Sequence, residues 1–204
     1  MYTLGTVLLK RPNMLNTIKK QLETSIHVKQ KLLQDAEALN TVEKVAEACI
    51  EAFRKGNKIL LAGNGGSAAD AQHIAAEFVG RYEQDRSGIP ALALSTNSST
   101  VTAVANDYGY DAIFQRQIQA LGKKGDVFFG FSTSGRSPNV VAAVQECRQL
   151  GLITVGMTGA GGGDLLELCD YCIRVPANNT ARVQESHITL GHIICSLVEQ
   201  TLFA

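Results

Sequence analysis

Helical patterning begins at Met14, where Leu15, Ile18, Leu22, Ile26, Leu32 and Leu33 recur at close to helical spacing. A second helix is predicted with Thr41 as its N-cap. Its apolar face would carry Val42, Val45, Ala46, Cys49, Ile50 and Phe53, and it would end at Gly56-Asn57. The texture then changes. Residues 58–63 form a short apolar run of the kind that suits a strand buried on both faces of a parallel sheet. Similar runs recur at 91–94, 127–131, 152–157 and 171–175. Between them lie helical patterns at 67–80, a broken stretch over 98–121, then 138–150, a short piece near 164–168, and a long last helix over 180–202. Strand alternating with helix implies right-handed crossovers. The predicted fold class is therefore α/β: a doubly wound, five-stranded parallel sheet flanked by helices, with an N-terminal helical arm.

A chain of 204 residues fits one domain. The expected organisation is a single domain over 14–204, with helices over 14–56 and an α/β core over 57–204. Residues 1–13 are expected to be a poorly ordered extension. They hold a short apolar run, but the positive charges follow it and no small-residue cleavage site comes after, so it reads poorly as a signal peptide.

Lys plus Arg and Asp plus Glu are both 19, so the net charge is zero. That argues against a partner bound by a global basic field, and no nucleic acid is expected. With 45% hydrophobic residues the chain is not a disordered polyelectrolyte. No window approaches the ~20 apolar residues of a membrane helix, so no membrane partner is expected either. The five cysteines, at 49, 147, 169, 172 and 195, form no disulfide framework and point to a reducing, cytoplasmic setting. Cys169 and Cys172 make a C-x-x-C, but no second Cys or His pair stands at zinc-site spacing.

In doubly wound sheets, ligands bind beyond the carboxyl ends of strands near a topological switch point. The loop after the first strand is Gly63-Asn64-Gly65-Gly66-Ser67. Its glycines let a ligand approach the backbone, and the helix behind it offers free N–H groups. It matches neither the dinucleotide-binding nor the P-loop pattern, so no nucleotide cofactor is expected. A plain strand-to-helix turn capped by Ser67 is the alternative. After the third strand comes Ser132-Thr133-Ser134-Gly135-Arg136-Ser137-Pro138. Four hydroxyls ahead of a helix that starts at proline make a good anion pocket. The alternative is a hydroxyl-rich loop with Ser137 as N-cap. The third such loop, 158–163, reads first as turn chemistry.

His73 and Glu77 are four apart and share a helix face, able to hold a metal or a proton path, or to be an ordinary surface pair. On the last helix Gln184, Glu185, His187 and His192 are polar groups among apolar ones. At about 100° per residue, His192 lies ~20° from Glu185 and ~80° from Gln184. Helical geometry alone therefore favours Glu185 as its neighbour.

Taken together, Ala62-Gly63-Asn64-Gly65-Gly66-Ser67 with Asp70, His73 and Glu77 resembles the opening of a sugar isomerase (SIS) domain, and Ser132-Thr133-Ser134-Gly135 resembles that family's phosphate loop. More narrowly, Gly80-Arg81, Asn106-Asp107-Tyr108-Gly109, and Val183-Gln184-Glu185 with His187 and His192 are similar to the family's bacterial phosphoheptose isomerases. The likeness runs from about residue 14 to the end.

The resemblance implies an aldose–ketose isomerase that converts D-sedoheptulose 7-phosphate into D-glycero-D-manno-heptose 7-phosphate. This is the first step towards the ADP-heptose of lipopolysaccharide cores. It implies a cis-enediol path with Glu77 as base and His192 as acid or proton shuttle. It implies zinc, one per subunit, held by His73, Glu77, Gln184 and His192, which chooses Gln184 over Glu185. An irregular turn near 180–185, or rotation of the long side chain, would reconcile that choice with the angles. By the same resemblance Asn64, Gly65, Gly66, Glu77, Gln184, Asn106 and Asp107 touch the sugar, the last pair from a loop after the helix that follows the second strand. Ser132, Thr133, Ser134 and Ser137 hold the phosphate. It further implies a homotetramer assembled through the N-terminal helices, with active sites at subunit interfaces, so that Glu77 and His192 need not meet within one chain. A related tetrameric scaffold, which binds the replication initiator DnaA without isomerase chemistry, is the alternative. That scaffold lacks groups matching Glu77 and His192 and the Ser-Thr-Ser-Gly loop.

Overall fold

The computed structural model describes residues 13–204; the expected extension lies outside them apart from Asn13. Asn13 belongs to the first helix, because its side chain caps α1 (Met14–Gln34) by accepting from the Asn16 N–H. One residue, Asp35, separates α1 from α2 (Ala36–Arg54) and caps α2 in the same way through the Ala38 N–H. The break therefore falls six residues before the predicted one. Thr41 is not a cap: it lies inside α2 and its hydroxyl donates to the Glu37 carbonyl.

The core then alternates as predicted. It runs β1 (Ile59–Gly63), α3 (Gly66–Val79), β2 (Ala91–Ala93), α4 (Ser98–Tyr108), a 3-10 turn (Tyr110–Ala112), α5 (Ile113–Leu121) and β3 (Val127–Phe131). It continues α6 (Pro138–Leu150), β4 (Ile153–Thr158), α7 (Leu165–Leu168), β5 (Tyr171–Arg174) and α8 (Thr180–Leu202). The five strands are all parallel in the order β2-β1-β3-β4-β5. Every residue of β1 and β3 is buried, as a strand covered on both faces requires.

Alternation along the strands divides the core. Ile59, Leu61, Phe129 and Phe131 pack with α2, α3 and α8, while Leu60, Ala62 and Phe128 pack with α5 and α6. Each large side chain buried in this way contributes on the order of 1.5–3 kcal/mol. No helix among the described residues is long and apolar enough to cross a membrane.

The C-x-x-C pair serves packing. Burial pushes the Cys169 thiol up to about 12, with Cys172 adding to the effect. A Cβ on Gly156 of β4 would press on the Cys169 sulfur at 3.2 Å and touch the Cys172 sulfur at 3.5 Å. A thiol held protonated at neutral pH is a poor nucleophile and a poor metal ligand.

Candidate active site

The strand order reverses direction between β1 and β3: the chain builds β2 on one side of β1, then crosses to β3 and moves outward on the other. Gly63 and Phe131 are register partners at the ends of those two strands. The loops beginning at Asn64 and Ser132 therefore leave the sheet side by side at the switch point.

Paired amides stitch the two loops together. Asn64 Nδ2 donates to Asn139 Oδ1 and Asn139 Nδ2 donates back to Asn64 Oδ1, both at 2.9 Å. The Tyr110 hydroxyl adds a third bond to Asn64 Oδ1 at 3.1 Å. Neither Asn139, fully buried in the first turn of α6, nor Tyr110 stands out in the sequence. The signal for Asn139 would have been a polar residue at a helix start directly behind an anion loop.

Ser132 organises its loop. Its hydroxyl lies 2.8 Å from that of Ser137 and 3.4 Å from that of Ser134, and accepts from the Ser137 N–H. Ser137 is the N-cap of α6, but its side chain makes no capping bond. The N-cap of α3 is Gly65, also without a side-chain cap, so Ser67 is not a cap but a residue of the helix. By contrast α1, α2, α4 and α8 are capped by Asn13, Asp35, Asn97 and Asn179. No capping side chain closes either helix at the switch point: the Ser67, Ala68 and Val140 N–H groups turn back to the carbonyls of Asn64, Gly65 and Ser137, and the Gly66 and Asn139 N–H groups are left to receive an anion.

The loop after β4 is more than a turn. Gly159 N–H donates to the Thr133 carbonyl at 3.0 Å, and a Cβ on Gly135, where φ is +68°, would lie 1.8 Å from the Gly162 carbonyl oxygen. The glycine loop after β4 is the backbone floor of the hydroxyl loop.

Helices α3 and α8 run against each other and bring three predicted side chains together within one chain. His73 Nε2 is 3.0 Å from Glu77 Oε1, His192 Nε2 is 3.4 Å from His73 Nε2, and His192 Nε2 is 4.0 Å from Glu77 Oε1. The expectation that Glu77 and His192 need not meet within one subunit is thus corrected. Four donors at the usual zinc distances of ~2.0–2.2 Å from a tetrahedral centre stand about 3.3–3.6 Å apart. The three separations bracket that spacing, so the donors fit such an ion without large movement.

Gln184 is also on this side of α8. Its amide rests against Gly66, where a Cβ would lie 2.7 Å from it, and lies 3.4 Å from Ser67 Oγ. Glu185, favoured by the angles, instead pairs with Arg182 at 3.2 Å and Lys29 at 3.6 Å. Since α8 is α-helical throughout, no irregular turn is needed: the Gln184 side chain reaches α3 and the Glu185 side chain turns to the arm. One turn before His73, burial lifts the Asp70 carboxyl to about 6, partly offset by His73, and its Oδ2 has no hydrogen-bond partner.

Asn106 and Asp107 lie in the last turn of α4 rather than in a loop, and both are exposed. Their side chains bond each other at 2.8 Å and make no hydrogen bond to the other predicted residues. His187 is buried: its Nε2 meets the Thr158 carbonyl at 3.1 Å, and burial pushes its pKa down to about 4.

Comparison with known proteins converges on one group. A family model described as the SIS domain matches residues 23–159. Phosphoheptose isomerase of Aneurinibacillus thermoaerophilus is 57% identical over 186 residues, covering 91% of this chain and 94% of that protein. A phosphoheptose isomerase of Burkholderia pseudomallei is 53% identical over 189 residues, covering 93% of this chain and 96% of that protein. The solved phosphoheptose isomerase of Neisseria gonorrhoeae superposes with a TM-score of 0.87 at 37% identity, covering 92% of this chain and all of that one.

Proposed function

The chain belongs to the SIS domain family, and from that premise we propose that it is a phosphoheptose isomerase that interconverts D-sedoheptulose 7-phosphate and D-glycero-D-manno-heptose 7-phosphate. The observation that carries the reading is the approach of His192 to within 4.0 Å of Glu77, delivered by two different helices. A carboxylate beside an imidazole is what proton transfer between adjacent carbons and oxygens needs. A scaffold that only binds a protein has no use for that pair, and the relatives that match along nearly the whole chain are named as isomerases.

The substrate carries its phosphate and its carbonyl at opposite ends, and the chain has a polar site for each. Ser132, Thr133, Ser134 and Ser137, with the Asn139 N–H at the start of α6, hold the phosphate. Asn64, the N–H groups at Gly65 and Gly66, and Gln184 orient the sugar hydroxyls. Asn106 and Asp107 complete the sugar contacts once the ligand spans towards α4. Glu77 removes the proton from carbon 1 and returns it to carbon 2. His192 gives a proton to the carbonyl oxygen on carbon 2 and takes one from the hydroxyl on carbon 1, so that a cis-enediol stands between the two isomers. Zinc held by His73, Glu77, His192 and Gln184 would supply a Lewis acid for the oxygens of the carbonyl and the enediolate.

Met14, Leu15, Ile18, Leu22 and Ile26 leave an apolar stripe more than half exposed along α1, which supports assembly into a homotetramer through the arm. We place the enzyme in the cytoplasm, at the start of heptose supply for lipopolysaccharide cores.

Purified protein should turn sedoheptulose 7-phosphate into an aldose. Glu77→Gln and His192→Gln should each lose on the order of 100-fold or more in kcat; full activity in both would refute the assigned roles. Elemental analysis before and after chelation, paired with turnover, tests zinc, and unchanged turnover after complete metal removal would refute it. Light scattering tests the assembly: Leu22→Glu with Ile26→Glu should reduce the mass in solution.

A further inference from the structure

Between α3 and β2 the chain runs through residues 80–90 without helix or strand, yet one buried carboxylate gathers three consecutive N–H groups of this segment. The tie is Glu199, whose side chain is 1% exposed. Its Oε1 accepts from the N–H groups of Glu83 at 2.7 Å and Gln84 at 2.8 Å, and its Oε2 from the Tyr82 N–H at 3.1 Å and Arg86 Nε at 2.7 Å. The Arg86 side chain is buried as well and carries the connection onward. Its Nη2 donates to the Glu77 carbonyl and its Nη1 to the Phe78 carbonyl, both at 2.8 Å. It thereby satisfies carbonyls of the last turn of α3, where a cation is favoured.

What this clamp delivers is Tyr82. Glu199 follows His192 by seven residues, which places it about 20° away around α8 and ~10 Å further along it. The segment folds back over that span, and the Tyr82 ring lies on the His192 imidazole, with centroids 5.7 Å apart and planes 29° apart. The His73 ring meets His192 edge-on at 4.9 Å. His192 is therefore enclosed on two sides by rings, each at a distance where aromatic pairs attract. Only one of those rings, His73, belongs to the predicted site.

We propose that Tyr82, held by the Glu199–Arg86 clamp, is a positioning residue that fixes the plane of the His192 imidazole for proton transfer. The proposal rests on the isomerase reading. The contact it names, however, exists in the resting protein and can be measured without substrate. An imidazole that loses this packing on one face spends less time aligned with the reacting oxygens, and losing alignment lowers kcat rather than substrate affinity. The face of the ring matters and the phenolic hydroxyl does not.

Three proteins test this: wild type, Tyr82→Leu and Tyr82→Phe, each labelled with [13Cε1]histidine and assayed on sedoheptulose 7-phosphate. The chain has four histidines, so four imidazole signals are expected, and His192→Gln identifies the one of interest. In wild type the His192 signal should show a nuclear Overhauser contact to Tyr82 ring protons and an upfield ring-current position. In Tyr82→Leu the signal should move downfield, with kcat falling about tenfold and KM changing by less than about twofold. Tyr82→Phe should restore both signal and kcat. No contact in wild type overturns the proposal even if the leucine variant fails to fold. An unmoved His192 signal overturns it whether or not kcat falls, because Tyr82 would then act elsewhere. Wild-type protein that shows the contact but does not isomerise the heptose phosphate would remove the isomerase reading and leave the stacking intact.

Discussion

Glu199→Gln tests how much of the structure hangs on one buried carboxylate. The two oxygens of Glu199 accept four hydrogen bonds, three from consecutive backbone N–H groups and one from Arg86. Glutamine keeps one accepting oxygen and places an NH2 where the other stood. Two donors then face a donor, each costing about 1–3 kcal/mol when buried and unpaired. Arg86 also loses its counter-charge at 2% exposure. Breaking a buried ion pair from one side costs about 3–5 kcal/mol. Arg86 keeps its bonds to the carbonyls of Glu77, Phe78, Gly80 and Ser87, which points to the lower end, about 3 kcal/mol. For a domain of this size that is a fall in melting temperature of about 6–12 °C. Urea unfolding followed by circular dichroism at fixed protein concentration measures it.

The acid limb gives a second reading of the same group. Burial alone would raise the Glu199 carboxyl, but the three N–H groups and Arg86 outweigh it and hold it below its ordinary value. A group depressed in the folded state stabilises above its unfolded pKa, ~4.3, and loses that contribution as pH falls through the folded value. The gap between wild type and Glu199→Gln should therefore be full at pH 7 and narrow below about pH 4. A loss at pH 7 of less than about 1 kcal/mol would refute the account of a saturated, charged acceptor.

Other consequences are as direct. In Gly135→Ala the new Cβ must enter a space 1.8 Å from the Gly162 carbonyl, at a positive φ. Steady-state kinetics should show KM for the phosphorylated substrate raised about tenfold or more, since left-handed strain adds ~1–2 kcal/mol to the clash; a wild-type KM would refute the role of the loop's floor. Gly66→Ala pushes against the movable end of Gln184, so kcat/KM should fall about tenfold with a melting temperature within a few degrees of wild type. His187 binds its proton with a pKa of about 4 in the folded chain. Against an unfolded value near 6.5, stability should fall as pH drops from ~6.5 to ~4, by at most about 3 kcal/mol, and His187→Leu should flatten that part of the profile.

The elements with strong local signals were legible in the sequence. The apolar run over 127–131 is β3 residue for residue, and Pro138 marks the start of α6 as proline at N1 does. The α1–α2 break was misplaced because it consists of Asp35 alone, with no glycine or proline to announce it, while Thr41 offered an equally good capping side chain. Asn106 and Asp107 looked like a loop because both residues favour turns, yet the helix runs on to Tyr108. His73 and Glu77 were readable because they share one helix face. The partners that only folding supplies were not: Asn139 and Tyr110 reach Asn64 across 75 and 46 residues, and Tyr82 meets His192 through a loop held from 117 residues away. Helical angles place a Cβ, and they cannot say how far a glutamine reaches, which is why Gln184 and Glu185 traded places.

The 23-residue α8 is a shaft about 34 Å long that is gripped near one end and used along the rest. Arg182 donates to the Gln21 carbonyl at 2.7 Å and Glu185 pairs with Lys29, so its first turns are fastened to α1. Gln184, His192 and Glu199 follow along the same shaft. In the assembly proposed above, a subunit packed on α1 would therefore bear on the helix that carries the imidazole. Catalytic competence per chain should then fade with dilution in step with the loss of assembled mass, although His73, Glu77 and His192 all belong to a single chain.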